Sequence, residues 1–205
     1  MTLCDVGNTS FHFYDQKSEY RVSIDEFNAT DIKEKVYYIN VNESQEICLQ
    51  KLPNWINLKE FVNYSNYYES MGIDRIMACE AIESGIVVDA GSAITVDKVK
   101  NSSFEGGFIY PGLKILEKTY KELSPRLETS FNFELDLDKM PNNTQDAISY
   151  GVLRTLYNEV MRHNSQIYLT GGDAQKLKTI FKDSILDELL IFKGMKNIMK
   201  KAQLC

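Results

Sequence analysis

LCDVGNTSFHFY, residues 3–14, sets an acid near the end of an apolar strand. It then turns through glycine and starts a second, alternating strand. VVDAGSAITVDKV, residues 87–99, does the same with Asp89, Gly91 and a strand from Ala93. One copy of D-x-G-N reads equally well as a type I turn, because Asp, Gly and Asn are turn residues. A second copy after another apolar strand points instead to a duplicated unit.

The flanking residues extend the repeat. Strands are predicted over 2–6, 11–14 and 20–23, a helix over 24–35, a strand over 36–41, a helix over 42–52 capped by Asn42, and a strand over 54–58. Strands are predicted again over 85–91, 93–99, 103–112 and 166–172, with helices over 113–123, 144–163, 173–181 and 195–202. Each half thus opens with a strand–acid–glycine–strand hairpin and then alternates strands with helices. The expected fold is α/β: two lobes, 1–84 and 85–205, with a nucleotide cleft between them.

Composition narrows the class. Of 205 residues, 43% are hydrophobic and 25% charged, as in an ordinary globular chain. The net charge of -6 is a poor match for nucleic acid. Cys4, Cys48, Cys79 and Cys205 show no C-x-x-C pairing, and only His12 and His163 could join them, so a structural zinc site is not expected. The sparse cysteines suggest reduced, mostly buried thiols. With no signal-peptide pattern and no apolar run of about 18 residues, a cytoplasmic protein without membrane contact is expected.

The hairpins suit phosphate. Glycine lets backbone N–H groups approach a ligand, and Asn8, Thr9, Ser10 and Ser92 add donors. A carboxylate beside phosphate needs a cation between them, which makes Asp5 and Asp89 partners for a metal ion or its waters. A third piece, TGGDA at 170–174, ends a buried strand in paired glycines before a helix, where α/β sheets gather ligands. By itself that junction needs no ligand.

The ordered set DVGNT (5–9), GIDR (72–75), DAGSAITVD (89–97), GGFIYPG (106–112), NTQDAISYG (143–151) and TGGDA (170–174) resembles the type III pantothenate kinases. These form a branch of the actin-like, hexokinase-like and Hsp70-like ATPases. The resemblance implies two actin-like (ribonuclease H-like) lobes and a homodimer. It implies transfer of the ATP γ-phosphoryl group to pantothenate, the first step toward coenzyme A, with Mg2+ and a monovalent cation, K+ or NH4+. It assigns Asp5, Val6, Gly7, Asn8, Thr9, Ser10, Phe11 and His12 to the ATP phosphates, Ser92 to the nucleotide and Asp89 to the monovalent cation. Gly72, Ile73, Asp74 and Arg75 would hold pantothenate, with Asp74 as proton acceptor and Thr144 reaching pantothenate from the partner subunit. A tyrosine just before GIDR belongs to the same set; Tyr64, Tyr67 and Tyr68 compete for it, and Tyr68 is chosen.

Three departures accompany the resemblance. Ser92 replaces a commoner threonine but keeps the hydroxyl. His12 stands where lysine is frequent, which removes a fixed charge, since free histidine titrates near pH ~6.5. The chain is also short for the family. Without the resemblance, Asp74-Arg75 reads as a helix-start acid and a surface arginine. The competing functions are a kinase for another hydroxyl substrate and a nucleotide-binding regulator of the same fold.

Overall fold

Strands form close to where the sequence places them, and in the same order in both halves. The structure, a computed structural model, describes residues 1–15 and 17–204. In chain order it runs β1 (Thr2–Val6), β2 (Ser10–Tyr14), β3 (Glu19–Ser23), β4 (Val36–Asn40), α1 (Glu43–Gln50), β5 (Trp55–Asn57) and α2 (Ile73–Glu80). It continues through β6 (Gly85–Ala90), β7 (Ala93–Lys100), β8 (Ser103–Pro111), α3 (Leu113–Leu123), α4 (Thr144–Met161), β9 (Ile167–Thr170), α5 (Ala174–Leu177), β10 (Ile185–Leu186) and α6 (Leu190–Lys201).

One sheet has the order β3-β2-β1-β4-β5, the other β8-β7-β6-β9-β10. Each is antiparallel through its first three strands and parallel beyond them. Position by position the two sheets are the same construction. The chain divides into two compact units, Met1–Ile82 together with the segment from Leu189, and Glu83–Glu188. The reading that gave all of 85–205 to the second lobe therefore differs over α6.

The reason lies in the packing of α6. Leu190, Phe192, Met195, Ile198 and Met199 are buried, and the helix lies against α2. Gly194 makes that approach possible: a Cβ there would collide with the backbone carbonyl of Met77. Asn197 Nδ2 donates to the Glu80 carbonyl at 2.9 Å, and Lys201 pairs with the Glu80 carboxylate.

On the other face of the first sheet, Cys4 and Val6 pair across from Phe13 and Phe11. They pack with Val36, Tyr38, Leu49 and Trp55. Burying each such Phe or Leu side chain is worth about 1.5–3 kcal/mol. In the second unit, Ile148, Val152, Leu153, Leu156 and Val160 of α4 fill the core against Ile86, Val88 and Ala90 of β6.

Three local expectations change. The helix predicted over 24–35 is two short 3-10 turns, Ile24–Glu26 and Ala29–Asp31. Phe27 is extended, and the Asn28 side chain takes the Thr30 N–H at 3.2 Å, a local bond that competes with helix. The helix predicted over 173–181 shrinks to Ala174–Leu177: beyond it the chain tightens into turns, with Thr179 N–H on the Lys176 carbonyl at 3.3 Å and Ile180 N–H on the Leu177 carbonyl at 3.1 Å, and the Asp173 carboxylate pairs with Lys176 rather than capping. Asp74 does stand in the first turn of a helix, α2, but Arg75, which reads as a surface arginine, is buried. Cys4 and Cys79 are buried, Cys48 is exposed, and Cys205 lies outside the described residues. No helix among the described residues is long and apolar enough to cross a membrane.

Candidate active site

In the first unit the pleat decides what faces what. Asp5 lies directly across from His12, and His12 directly across from Arg21, so three strands present an acid, an imidazole and a guanidinium in one row. Gly7 N–H donates to the Ser10 carbonyl at 3.0 Å, which closes the turn and leaves Asn8 and Thr9 exposed at its tip. Asn42 caps α1 by accepting from Ser44 N–H at 2.9 Å, and its Nδ2 reaches the Gly7 and Asn8 carbonyls at 3.4 Å. The hairpin tip is thereby tied to the start of a helix.

Val6 and Phe11 are fully buried, so only their backbone is available to a ligand. His12 is buried as well. Its Nε2 lies 3.2 Å from Glu19 Oε2, and its ring meets Phe192 edge-on at 4.7 Å. Burial, then the Arg21 charge, pull its pKa down against the opposing pull of Glu19, so the ring is neutral at pH 7.

Asp5 has its pKa pushed up to about 7, first by burial and then by the carboxylate of Asp74, with Arg21 acting against both. The structure thus brings the hairpin acid and the GIDR acid of one unit within range of each other's charge. Asp74 sits in the first turn of α2, whose N-cap is Gly72. Its Oδ1 accepts from the Arg75 N–H at 2.8 Å. Burial raises its pKa, while that hydrogen bond and the Arg75 charge moderate the rise. A carboxylate raised in this way is a better proton acceptor near neutrality.

Arg75 is buried and donates to the Tyr68 hydroxyl, with its guanidinium 5.8 Å from the Tyr68 ring centre. The Tyr68 hydroxyl thus rests on Arg75. Tyr67 donates to Glu80 at 3.0 Å, and Tyr64 to the Lys59 carbonyl at 3.4 Å. Ile73 is buried, which leaves it only its backbone to offer.

In the second unit, Asp89 stands across from Thr95 and beside Thr170 of the parallel strand β9. The turn is shorter than its counterpart: Gly91 N–H donates to the Ala93 carbonyl at 2.9 Å, with Ser92 exposed between them. Two glycines press on it. A Cβ on Gly112 would strike the Ser92 carbonyl, and one on Gly171, at φ +90°, would strike the Asp89 carboxylate. Asp173 N–H donates to the Ala90 carbonyl at 2.9 Å, fixing the end of β6. Thr144 is exposed at the first turn of α4, beside the cap Asn143.

Among the described residues no group of three or more His, Cys, Asp or Glu forms a metal cage. Sequence reading missed Arg21, whose place depends on hairpin register, and the closeness of Asp5 to Asp74, which depends on tertiary packing.

The comparisons with known proteins agree with one another. A family profile described as type III pantothenate kinase matches residues 34–165. A type III pantothenate kinase of Sulfurimonas denitrificans is 61% identical over 205 residues, covering 100% of both chains. A crystal structure from Campylobacter jejuni, described as a Baf family transcriptional activator, is 44% identical, with a TM-score of 0.90 and 100% of both chains covered. A Sinorhizobium meliloti protein described as a 2-dehydro-3-deoxygalactonokinase shares the fold alone, at 9% identity and a TM-score of 0.60, over 98% of this chain and 96% of that one.

Proposed function

The chain belongs to the type III pantothenate kinase family, with the duplicated lobes of the actin, hexokinase and Hsp70 ATPases, and from that premise we propose how its residues divide the reaction. The activity is ATP-dependent phosphorylation of pantothenate, the first step of coenzyme A biosynthesis. Asp74 accepts the proton of the pantothenate primary hydroxyl. The freed oxygen pair bonds to the γ-phosphorus while the bond to the bridging oxygen breaks and ADP leaves. Arg75, steadied by Tyr68, holds substrate oxygens and fixes the hydroxyl against Asp74. Gly72 and Ile73 contribute backbone to the same pocket.

Backbone and small side chains of the first hairpin, Gly7 through Ser10, hold ATP phosphates. Ser92 holds the nucleotide from the second. The residues present fit Mg2+: Asp5 stands as a carboxylate beside the hairpin's backbone donors, and this ion takes one or two carboxylates with phosphate oxygens and water. Asp5, held near neutrality by burial and Asp74, becomes fully ionised when a cation stands beside it. Asp89 is the oxygen ligand for K+ or NH4+. Such cations neutralise the charge that develops on the transferred phosphoryl group. The protein works in the cytoplasm as a homodimer, with Thr144 of one subunit reaching the pantothenate of the other.

The observation that supports this reading most is that the Asp74 charge acts on Asp5 within one unit. It joins the phosphate hairpin to the proposed base. The test is phosphate transfer from Mg-ATP to pantothenate in potassium, ammonium and sodium salts. Turnover confined to potassium and ammonium is the expected result. Equal turnover in sodium removes the role given to Asp89.

A further inference from the structure

We propose that Arg21 is the cation that contacts the ATP phosphates at the Asp5 hairpin. The inference rests on the reading that this hairpin holds those phosphates. Residues 5–15 contain no lysine or arginine, and their one histidine, His12, is buried between Glu19 and Phe192. The hairpin itself therefore supplies no positive charge. The next strand does. Arg21 pairs with His12 in the register that pairs His12 with Asp5, so its side chain leaves the sheet on the same face. Two strand spacings, about 10 Å, separate the two backbones, a gap that a guanidinium arm and a phosphate close together.

Arg21 is exposed, and among the described residues it makes no hydrogen bond or ion pair. Glu19, the acid two places away on its strand, is engaged by His12. The Arg21 charge nevertheless acts on both Asp5 and His12, so it lies near the mouth of the hairpin. A planar guanidinium with all its donors available is suited to phosphate oxygens, which it can grip with two parallel bonds.

Steady-state kinetics with Mg-ATP and pantothenate varied separately test this in the Arg21→Ala, Arg21→Lys and Asp5→Asn variants. Arg21→Ala is expected to raise KM for Mg-ATP about tenfold or more, the weight of one charge-assisted contact. KM for pantothenate stays within about twofold, because the contact is on the phosphate side. Arg21→Lys, which keeps the charge but not the paired donors, recovers part of the loss, and the thermal midpoint is unchanged, because no buried partner is left behind. A Mg-ATP KM within twofold of the parent overturns the proposal, as does an equal rise for both substrates. If Asp5→Asn weakens Mg-ATP and Arg21→Ala does not, this inference alone fails. If neither moves it, the hairpin reading fails too.

Discussion

The two hairpins share a strand order and a penultimate acid, yet they are furnished differently. Around Asp5 stand titratable side chains: His12 and Arg21 in its row, and Asp74 from α2. Around Asp89 stand Thr95, Thr170, the Gly91 turn and the close approach of Gly171, with the buried Asp97 two places beyond Thr95 on the same face of β7. Duplication therefore preserved the frame and left its contents free. The first unit sets an imidazole, a guanidinium and a second carboxylate about its acid. The second makes a shape, in which glycine lets backbone and carboxylate touch.

That contrast breaks if the largest effect falls elsewhere than on the first unit's acids. Asp74→Asn removes the proton acceptor and keeps the volume, so kcat should fall about 10³-fold while the thermal midpoint holds. Near-normal turnover would end the role given to Asp74.

Asp5→Asn comes next, with a fall in kcat/KM for Mg-ATP of about 10²-fold. It also carries a pH dependence of definite sign, set first by burial and then by the Asp74 charge. The folded state raises this carboxyl from 3.8 to about 7, so the folded chain binds its proton more tightly than the unfolded chain does. Stability therefore drops as pH climbs between those values, and the full penalty stands above pH 7. The variant should be more stable than the parent at pH 8, by about 1–2 kcal/mol once partial solvent access is discounted, with the advantage shrinking toward pH 4. Urea denaturation at several pH values reads this directly. A variant less stable than the parent at pH 8 contradicts it.

Gly171→Ala probes the second unit. At φ +90° and against the Asp89 carboxylate, the added methyl should cost about 2–3 kcal/mol of stability and about tenfold in activity. Wild-type melting would mean that the tight approach is unimportant. Ser92→Ala should be mildest, with KM for Mg-ATP rising less than about threefold, since this turn offers mainly backbone. A hundredfold rise would make the second hairpin a side-chain site like the first.

Much of this was legible in the sequence because it is local. An acid at the end of an apolar run and glycine just after it fix a hairpin within about a dozen residues. Two such hairpins fixed the duplicated order, and Asn42 was readable as a cap because capping is a three-residue affair. The unread parts need distant partners. That His12 is buried follows from Phe192, far along the chain. That the Tyr68 hydroxyl meets Arg75 follows from the irregular path before α2. Arg21 enters the row through pairing register, which composition does not encode.

The return of α6 to the first unit sets a timetable. On the ribosome, residues 83–188 are complete in sequence before the segment from Leu189 exists, so the second unit holds all its own parts while the first still lacks a wall. Leu3, Asp5 and His12 lie on the face of the first sheet that Phe192 and its neighbours close. Of the two units, the one translated first is thus finished second, and a nascent chain cannot shelter its proposed phosphate-binding hairpin until the segment from Leu189 has been made.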